Sequence, residues 1–179
     1  FIEKATLFGS LKCDYATLEM DEAFAVKIFE HLTPSVIVIT NLFRDQLDRY
    51  GEIDITAVLL NKAIDKCSGS TIILNGDDPL SAQFGKGRTN VKYFGISEKV
   101  LEQTESVKEG RYCTECKAEL SYNYYHYSQL GDYYCPDCGL KRPAIDYDAA
   151  DINIKDGKDI ILKEGDIITK VADEKVKNS

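Results

Sequence analysis

The sequence predicts an α/β protein with a doubly wound, mostly parallel sheet, an inserted four-cysteine zinc ribbon and a small antiparallel β meander. Three observations lead to this prediction. Short β-branched apolar runs alternate with amphipathic helical segments, as they do in βαβ units. Two CxxC pairs interrupt that alternation. After them, apolar and polar residues alternate around turns that contain glycine, at Asp156-Gly157 and near Glu164-Gly165.

The first part of the chain carries the α/β pattern. VIVIT at 36–40 is almost wholly β-branched and apolar, which is typical of a strand buried on both faces of a parallel sheet. The neighbouring segments have apolar residues at helical spacing. The predicted strands are 15–19, 36–40, 71–75 and 91–96, and the predicted helices are 20–32, 53–67 and 80–85. We therefore expect an α/β domain at 1–109, the ribbon at 110–143, and a return to the domain at 144–179.

Polar residues lie at the carboxyl ends of the predicted strands. In open α/β sheets, ligands bind at the carboxyl ends of the strands. Carboxylate and amide oxygens there suit Mg²⁺ and phosphate chemistry. The residues concerned are Glu19, then Asn41 with Asp45 and Asp48, then Asn75 with Asp77 and Asp78.

The cysteines divide into two groups. Cys113 and Cys116 are separated by 18 residues from Cys135 and Cys138, which is zinc-ribbon spacing. Four thiolates close the zinc shell and leave no position for water, so this zinc is expected to be structural. Four unrelated thiols, an iron–sulfur site or a redox CxxC pair are the alternatives. The remaining cysteines, Cys13 and Cys67, are expected to be bystanders.

Seven of the eleven tyrosines lie between Tyr112 and Tyr134. They suit either base stacking or packing of a small module against its neighbour. Residues 110–143 hold four basic and four acidic side chains, so four thiolates and one Zn²⁺ make the module negative. With a whole-chain charge of -8, nucleic acid is disfavoured and docking is favoured. His126 is expected to pack rather than to bind metal.

The chain shows no sign of export. It has no apolar run of the roughly 20 residues that a membrane helix requires, and its first residues lack the pattern of a signal peptide. CxxC pairs that serve as metal ligands suit a reducing compartment. These features predict a cytoplasmic protein.

The string TNLFRDQLDRYGE resembles the TN–DHLDR–G motif of the Mur ligase superfamily, which follows a strand in the central ATPase domain. Two further strings, TLEMDEA and ILNGDDP, match that family in the same order. The resemblance implies catalytic roles for Glu19, Asp45 and Asp48, with Glu19 as a Mg²⁺ ligand. It also implies nucleotide binding by the polar residues of the other strand ends, namely Asn41, Asn75, Asp77 and Asp78.

The match to the family is incomplete at three places. Gln46 stands where the family usually has a histidine that binds a second metal. Lys62, or Asn61 by the other count, stands where several members carry a carbamylated lysine, although a solvated lysine is the commoner use. No glycine-rich GxxxxGK[ST] loop occurs in the sequence. We therefore expect a fragment of a longer ligase that by itself neither binds ATP well nor turns over.

A four-cysteine ribbon within such a domain is similar to the ligase-like subunits of lipid II isoglutaminyl synthases. That resemblance implies ATP-dependent amidation of the D-glutamate α-carboxylate of lipid II at the inner face of a bacterial membrane. The implied partner is a glutamine amidotransferase, GatD, and the implied cofactors are structural Zn²⁺ and Mg²⁺. Another Mur ligase, a folylpolyglutamate synthase type of amide ligase, and a non-enzymatic zinc-ribbon scaffold remain as alternatives.

Overall fold

The computed structural model describes residues 13–42, 52–99, 111–150, 160–164 and 167–171. Asp45, Gln46 and Asp48 lie outside the described residues, and so does the predicted turn at Asp156-Gly157. Among the described helices, none has the length and apolar character needed to cross a bilayer.

The helices and strands alternate through the first half of the chain, and strands alone follow. In chain order the elements are α1 Glu22–Ile28, β1 Val36–Ile39, α2 Glu52–Asp65, β2 Thr71–Asn75, α3 Pro79–Ala82 with a 3₁₀ turn at Gln83–Gly85, β3 Val91–Gly95, β4 Ser121–Tyr127, β5 Leu130–Tyr134, β6 Tyr147–Ala150, β7 Ile160–Glu164 and β8 Ile167–Val171.

The main sheet has six strands in the order β1-β2-β3-β6-β7-β8. Strands β1, β2, β3 and β6 run parallel, and β7 and β8 extend the sheet antiparallel beyond β6. Strands β4 and β5 form a separate antiparallel hairpin that lies in the chain between β3 and β6. The predicted fold class, a mostly parallel sheet with helices and an inserted small antiparallel unit, is confirmed.

The main core lies between one face of the sheet and α2. Ile39 and Leu74 are neighbours in the parallel register, so their side chains lie on the same face of the sheet. Because apolar positions recur along α2 at helical spacing, one side of the helix packs against this face. The buried core residues are Ile39, Leu42, Leu60, Ile64, Ile72, Leu74 and Phe84.

Two predictions about the start of the sheet are wrong. Residues 15–19 form no strand, and β1 is not buried on both faces, because Val36 and Val38 are 48% and 56% exposed. The physical reasons differ. In the described part of the chain β1 is the edge strand, so residues 15–19 do not pair with it, and a strand needs a partner for its backbone groups. The exposure of Val36 and Val38 depends on which face of the sheet the helices cover. The described helices cover the opposite face, where Ile37 and Ile39 point.

Candidate functional site

The four predicted ligands meet in one cluster. The sulfur atoms of Cys113, Cys116, Cys135 and Cys138 all lie within 4.8 Å of one another. The Cys113–Cys138 and Cys116–Cys135 sulfur pairs are 3.5 and 3.4 Å apart. Disulfide sulfurs are only about 2 Å apart, whereas two thiolates on one tetrahedral zinc lie about 3.8 Å apart because each Zn–S bond is about 2.3 Å. The cluster therefore has the size and chemistry of a four-thiolate metal site.

The first CxxC pair forms a tight knuckle. The Cys113 N–H donates to the Ala118 carbonyl at 2.7 Å, and the Lys117 N–H donates to the Cys113 carbonyl at 3.0 Å. The Glu115 N–H points at the Cys113 sulfur at 3.4 Å. To close the turn, Lys117 takes a left-handed conformation with φ of 64°, which costs a side-chain-bearing residue about 1–2 kcal/mol.

The second pair has the same geometry, but a glycine occupies the left-handed position that a lysine occupies in the first pair. The Cys135 N–H donates to the Leu140 carbonyl at 2.7 Å, and the Gly139 N–H donates to the Cys135 carbonyl at 3.1 Å. Gly139 has φ of 76°, which glycine adopts without steric cost. A backbone hydrogen bond from Cys138 lowers the pKa of the Cys135 thiol to about 7. Backbone hydrogen bonds also lower the pKa values of Cys116 and Cys138, but burial and the neighbouring thiols outweigh them and raise both pKa values.

These observations satisfy the requirements of a closed structural metal site. Four soft sulfur ligands suit zinc, and backbone N–H groups stabilise the charge on sulfur. His126 lies outside the cluster, and its Nε2 donates to the Ile96 carbonyl at 2.9 Å. The prediction that His126 is a packing residue agrees with this contact.

The segment with the cysteines and the β4–β5 hairpin, residues 111–143, is called here the cysteine module. It is attached to the carboxyl ends of the parallel strands. Arg142 of the module pairs with Asp77, which follows β2, at 2.5 Å. The other oxygen of the Asp77 carboxylate accepts the Ile96 N–H at 2.8 Å, and the Gly131 N–H donates to the Asp77 carbonyl at 3.0 Å.

The end of β3 is held by the module as well. The Tyr124 hydroxyl donates to the Ser97 carbonyl at 3.1 Å. His126 and Arg142 both donate to the carbonyl of Ile96, at 2.9 and 3.2 Å. Because a carbonyl only accepts, the His126 proton is on Nε2. The module therefore covers the carboxyl ends of β2 and β3, where an α/β ligand site is expected.

Asp78 connects the ends of β1 and β2. Its carboxylate accepts the Leu42 N–H at 3.0 Å and the Leu80 N–H at 3.1 Å, which caps the N-terminus of α3. Burial raises the pKa of Asp78 to about 6, against the lowering effect of these two N–H groups. The Asp78 side chain is fully buried, so its oxygens are used inside the protein and are not presented to a ligand.

Several tyrosines of the cysteine module pack within it. Tyr133 is buried with Leu120 beside the cysteines, and Tyr122 stacks on Tyr125 with ring centroids 4.1 Å apart. Burial raises the pKa of both Tyr122 and Tyr133. The rings of Tyr122 and Tyr133 are therefore used for packing, which agrees with the docking interpretation and leaves Tyr112, Tyr127 and Tyr134 as the exposed ones.

The remaining predicted site residues are placed as follows. Glu19 is exposed in a stretch without regular structure, not at a strand end as expected. Asn41 follows β1, and Asn75 is the last residue of β2, where its Oδ1 accepts the Asp77 N–H at 2.9 Å. Lys62 is exposed on α2, as a solvated lysine is. The structure thus brings Asn41, Asn75, Asp77 and Asp78 to the carboxyl ends of β1 and β2, whereas Glu19 ends no strand.

Two residues that hold this edge together were missed by sequence reasoning. In the sequence, Arg142 is only one of the four basic side chains that balance four acidic ones in residues 110–143. Gln129, which lies between β4 and β5, carried no signal, because a polar residue in a hairpin turn is ordinary. Only the contacts across the chain reveal these residues.

Comparison with known proteins identifies relatives for most of the chain. No protein-family model matches it. "Lipid II isoglutaminyl synthase (glutamine-hydrolyzing) subunit MurT" of Staphylococcus aureus is 36% identical over 144 residues, which are 80% of this chain and 32% of the relative. The subunit of the same name from Streptococcus pneumoniae is 43% identical over 136 residues, which are 74% of this chain and 30% of the relative.

A solved structure agrees with these relatives. A pseudomurein peptide ligase type C from Methanothermus fervidus matches with a TM-score of 0.64 and 30% identity, over 79% of this chain and 27% of that one. The chain spans about a third of the length of the curated relatives it matches. The predicted resemblance to the Mur ligase-like subunits is confirmed.

Proposed function

We propose that the chain has a role in peptidoglycan synthesis as part of an ATP-dependent carbon–nitrogen ligase, because it is homologous to MurT subunits over about a third of their length. The reaction is amidation of the α-carboxylate of D-glutamate in the lipid II stem peptide. The ammonia comes from a glutamine amidotransferase partner, GatD. The observation that carries this proposal is the four-cysteine cluster set between β3 and β6 of a Mur ligase-like sheet in a chain 36–43% identical to those subunits.

The proposed chemistry has two steps. A carboxylate oxygen of D-glutamate attacks the γ-phosphorus of ATP, and ADP leaves with the electrons of the broken P–O bond. Ammonia then attacks the carbonyl carbon of the acyl phosphate, phosphate leaves, and a proton passes from nitrogen to solvent. Bound Mg²⁺ supplies charge neutralisation on the phosphates, and most of the catalysis is positioning.

The residues have different parts in this proposal. Glu19, Asp45 and Asp48 remain the proposed catalytic residues, with Glu19 also as the proposed Mg²⁺ ligand. Asn41 and Asn75 are the proposed nucleotide contacts, since both lie at the carboxyl ends of parallel strands.

Asp77 and Asp78 require a different role. Their carboxylates are buried and bonded to groups of the protein itself. We therefore propose that these two aspartates shape the nucleotide edge through the protein contacts they make, and do not bind the nucleotide through their carboxylates.

The metal has a structural role in the proposal. Cys113, Cys116, Cys135 and Cys138 would hold one Zn²⁺ and fix the fold of the cysteine module. A four-sulfur shell leaves no open position for a reacting group. We further propose that the enzyme works in the bacterial cytoplasm, where its lipid II substrate is reached at the inner face of the membrane.

The decisive experiment uses the full-length protein that carries this segment, together with its amidotransferase partner, lipid II, ATP and glutamine. Mass spectrometry of the stem peptide distinguishes the amide from the acid. We expect amidation with glutamine plus partner, and with ammonium salt when the partner is omitted. We expect none without ATP. Unchanged lipid II in the complete mixture refutes the amidation.

A second candidate is favoured by one finding, the likeness to a peptide ligase. In that case the acyl phosphate is attacked by an amino acid and not by ammonia. The same assay with amino acids in place of glutamine separates the two, because a peptide ligase lengthens the stem peptide. Phosphate release that depends on an amino acid, with no release on ammonia, would establish this alternative.

A further inference from the structure

We propose that Gln129 is a positioning residue through which the metal centre fixes the chain immediately after β1. The site in question is the backbone of Leu42. This inference rests on the proposed function only for its effect on catalysis, because the mechanical link is formed by the described residues alone.

Both backbone polar groups of Leu42 are held by side chains. Its N–H donates to the Asp78 carboxylate at 3.0 Å, and its carbonyl accepts the Gln129 Nε2 at 3.2 Å. Strand β1 ends at Ile39, so neither group belongs to the sheet ladder. Leu42 itself is buried in the core. The direction of the chain at this point therefore depends on one side chain from the sheet edge and one from the cysteine module.

The Gln129 side chain is set in place by the module. It is almost fully buried. Its Oε1 accepts the Ser128 hydroxyl at 2.8 Å, and its backbone carbonyl accepts the Tyr122 hydroxyl at 2.9 Å. The amide oxygen is thereby fixed, so its nitrogen faces the Leu42 carbonyl. A buried amide with all its partners satisfied is a stiff connector.

The cysteines shape the hairpin that carries Gln129. Strand β5 ends at Tyr134, directly before Cys135. Tyr133 of that strand packs against Cys113 and Cys135 in a small core of its own. In a module this small, metal binding supplies much of the folding free energy. Loss of metal therefore loosens the hairpin and, through Gln129, releases the Leu42 carbonyl.

The consequence for catalysis follows from chain order. Leu42 comes three residues before Asp45 and six before Asp48 in the sequence. Leu42 lies three residues beyond the end of β1 and precedes the stretch of sequence that carries Asp45 and Asp48. A metal bound in the module thus contributes to positioning although its closed shell touches no substrate.

The link is tested by amide hydrogen exchange on the full chain, without ATP, partner or substrate. Gln129→Met keeps the length of the side chain and removes both the donor to the Leu42 carbonyl and the hydrogen bond to Asp78, the carboxylate that accepts the Leu42 N–H. We expect the Leu42 amide to exchange about tenfold faster in this variant, and equally so in the wild type after zinc is removed by a chelator. Amides of β2 should keep their rates in both cases.

Asn123→Ala is the matched control. It removes an exposed hydrogen bond to Asp132 in the same hairpin and should leave the Leu42 amide unchanged. Zinc removal or Gln129→Met without faster exchange at Leu42 overturns the proposal. Faster exchange throughout β2 overturns it as well, because the effect would then be general destabilisation.

A kinetic arm tests positioning in the full-length enzyme with its partner. Gln129→Met should lower kcat at least about tenfold, as misplacement of reacting groups does, with the melting temperature close to that of Asn123→Ala. Equal kcat in the two variants overturns the positioning role. If the exchange result holds while the wild type itself lacks amidation activity, the proposed function fails and the mechanical link stands.

Discussion

The guanidinium of Arg142 lies 2.5 Å from the carboxylate of Asp77, and only 10% and 5% of the two side chains are exposed. The pair joins the cysteine module to the turn after β2. Gly95 leaves the space for it, since a Cβ there would lie 2.7 Å from the Asp77 Oδ1 and 2.8 Å from the Arg142 Nη2. The cysteine module and the carboxyl end of β2 are thereby packed together.

Loss of this pair should be among the most damaging single changes in the described part of the chain. Arg142→Met keeps much of the side-chain volume but leaves the Asp77 carboxylate buried without its cation. Removing one partner of a buried ion pair costs about 3–5 kcal/mol. Urea denaturation, followed by far-ultraviolet circular dichroism, measures the change in the free energy of unfolding.

Two comparisons make that measurement specific. Lys66→Met removes the cation of the exposed pair with Glu30 and should change stability little, because solvent screens such pairs. Asp77→Asn combined with Arg142→Met should recover part of the loss, since no charge is then left unpaired. If Arg142→Met and Lys66→Met cost the same, the pair does not hold the module.

The chain should purify with about one zinc ion, as four thiolates in a closed shell require. Cys113→Ser or Cys135→Ser should abolish tight binding, while Cys13→Ser, a change outside the cluster, should not. Metal analysis of the three variants gives the result. Iron in place of zinc, or full zinc content in the Cys113→Ser variant, contradicts the assignment.

Chelation should unfold the cysteine module and leave the main sheet folded. The near-ultraviolet signal reports the module, because tyrosines are concentrated there, and the far-ultraviolet signal reports the helices and strands. Loss of both signals together at the same chelator concentration would mean that the sheet does not fold without the metal.

The two knuckles predict opposite effects for reciprocal substitutions. Lys117→Gly relieves a left-handed residue and should tighten metal binding by about 1 kcal/mol or less, since glycine also loses more chain entropy on folding. Gly139→Ala places a Cβ in open space, so its whole cost of about 1–2 kcal/mol is backbone strain. Competition with a chromogenic chelator measures both; two changes of the same sign refute the account.

Asp78 should make stability fall as the pH rises. Burial raises its pKa from the usual 3.8 to about 6 in the folded protein, so the folded state binds the proton more tightly than the unfolded state. Its favourable contribution is therefore present below pH 3.8 and is lost as the pH rises through 6. Between about pH 5 and about pH 7.5 the loss should be about 1 kcal/mol.

Asp78→Asn isolates this effect, because asparagine has a similar shape and does not titrate. The difference in unfolding free energy between the wild type and Asp78→Asn should favour the wild type more at the lower pH. Urea denaturation at both pH values in excess zinc supplies the four numbers. A pH-independent difference would show that the Asp78 carboxyl titrates normally in the folded protein.

Local pattern was sufficient for most of the secondary structure. The run TIILN predicted a strand at 71–75, and β2 occupies Thr71–Asn75, because a β-branched apolar run bounded by turns has few other stable conformations. The CxxC spacing likewise predicted a cluster that Cys113 and Cys138 form across 25 positions of sequence. Both signals are carried by short segments.

Local pattern failed where the outcome depended on neighbours. YATLE at 15–19 has strand-forming residues and forms no strand, because a strand needs a partner to bond its backbone groups. Val38 looked buried by composition and is exposed, because burial of a sheet face depends on what packs against it. Neither outcome can be predicted from the residues of the segment alone.

The sequence by itself determined the kind of protein: the order of strands and helices, the four sulfur ligands, and the polar residues at the strand ends. Tertiary structure alone decided how these are used. It buried the carboxylates of Asp77 and Asp78, which bond to Arg142 and to the Leu42 N–H, and on this basis we propose that they shape the nucleotide edge without contacting the nucleotide. The physical reason is that a carboxylate's role is set by which donors surround it, and those donors come from segments far apart in the chain.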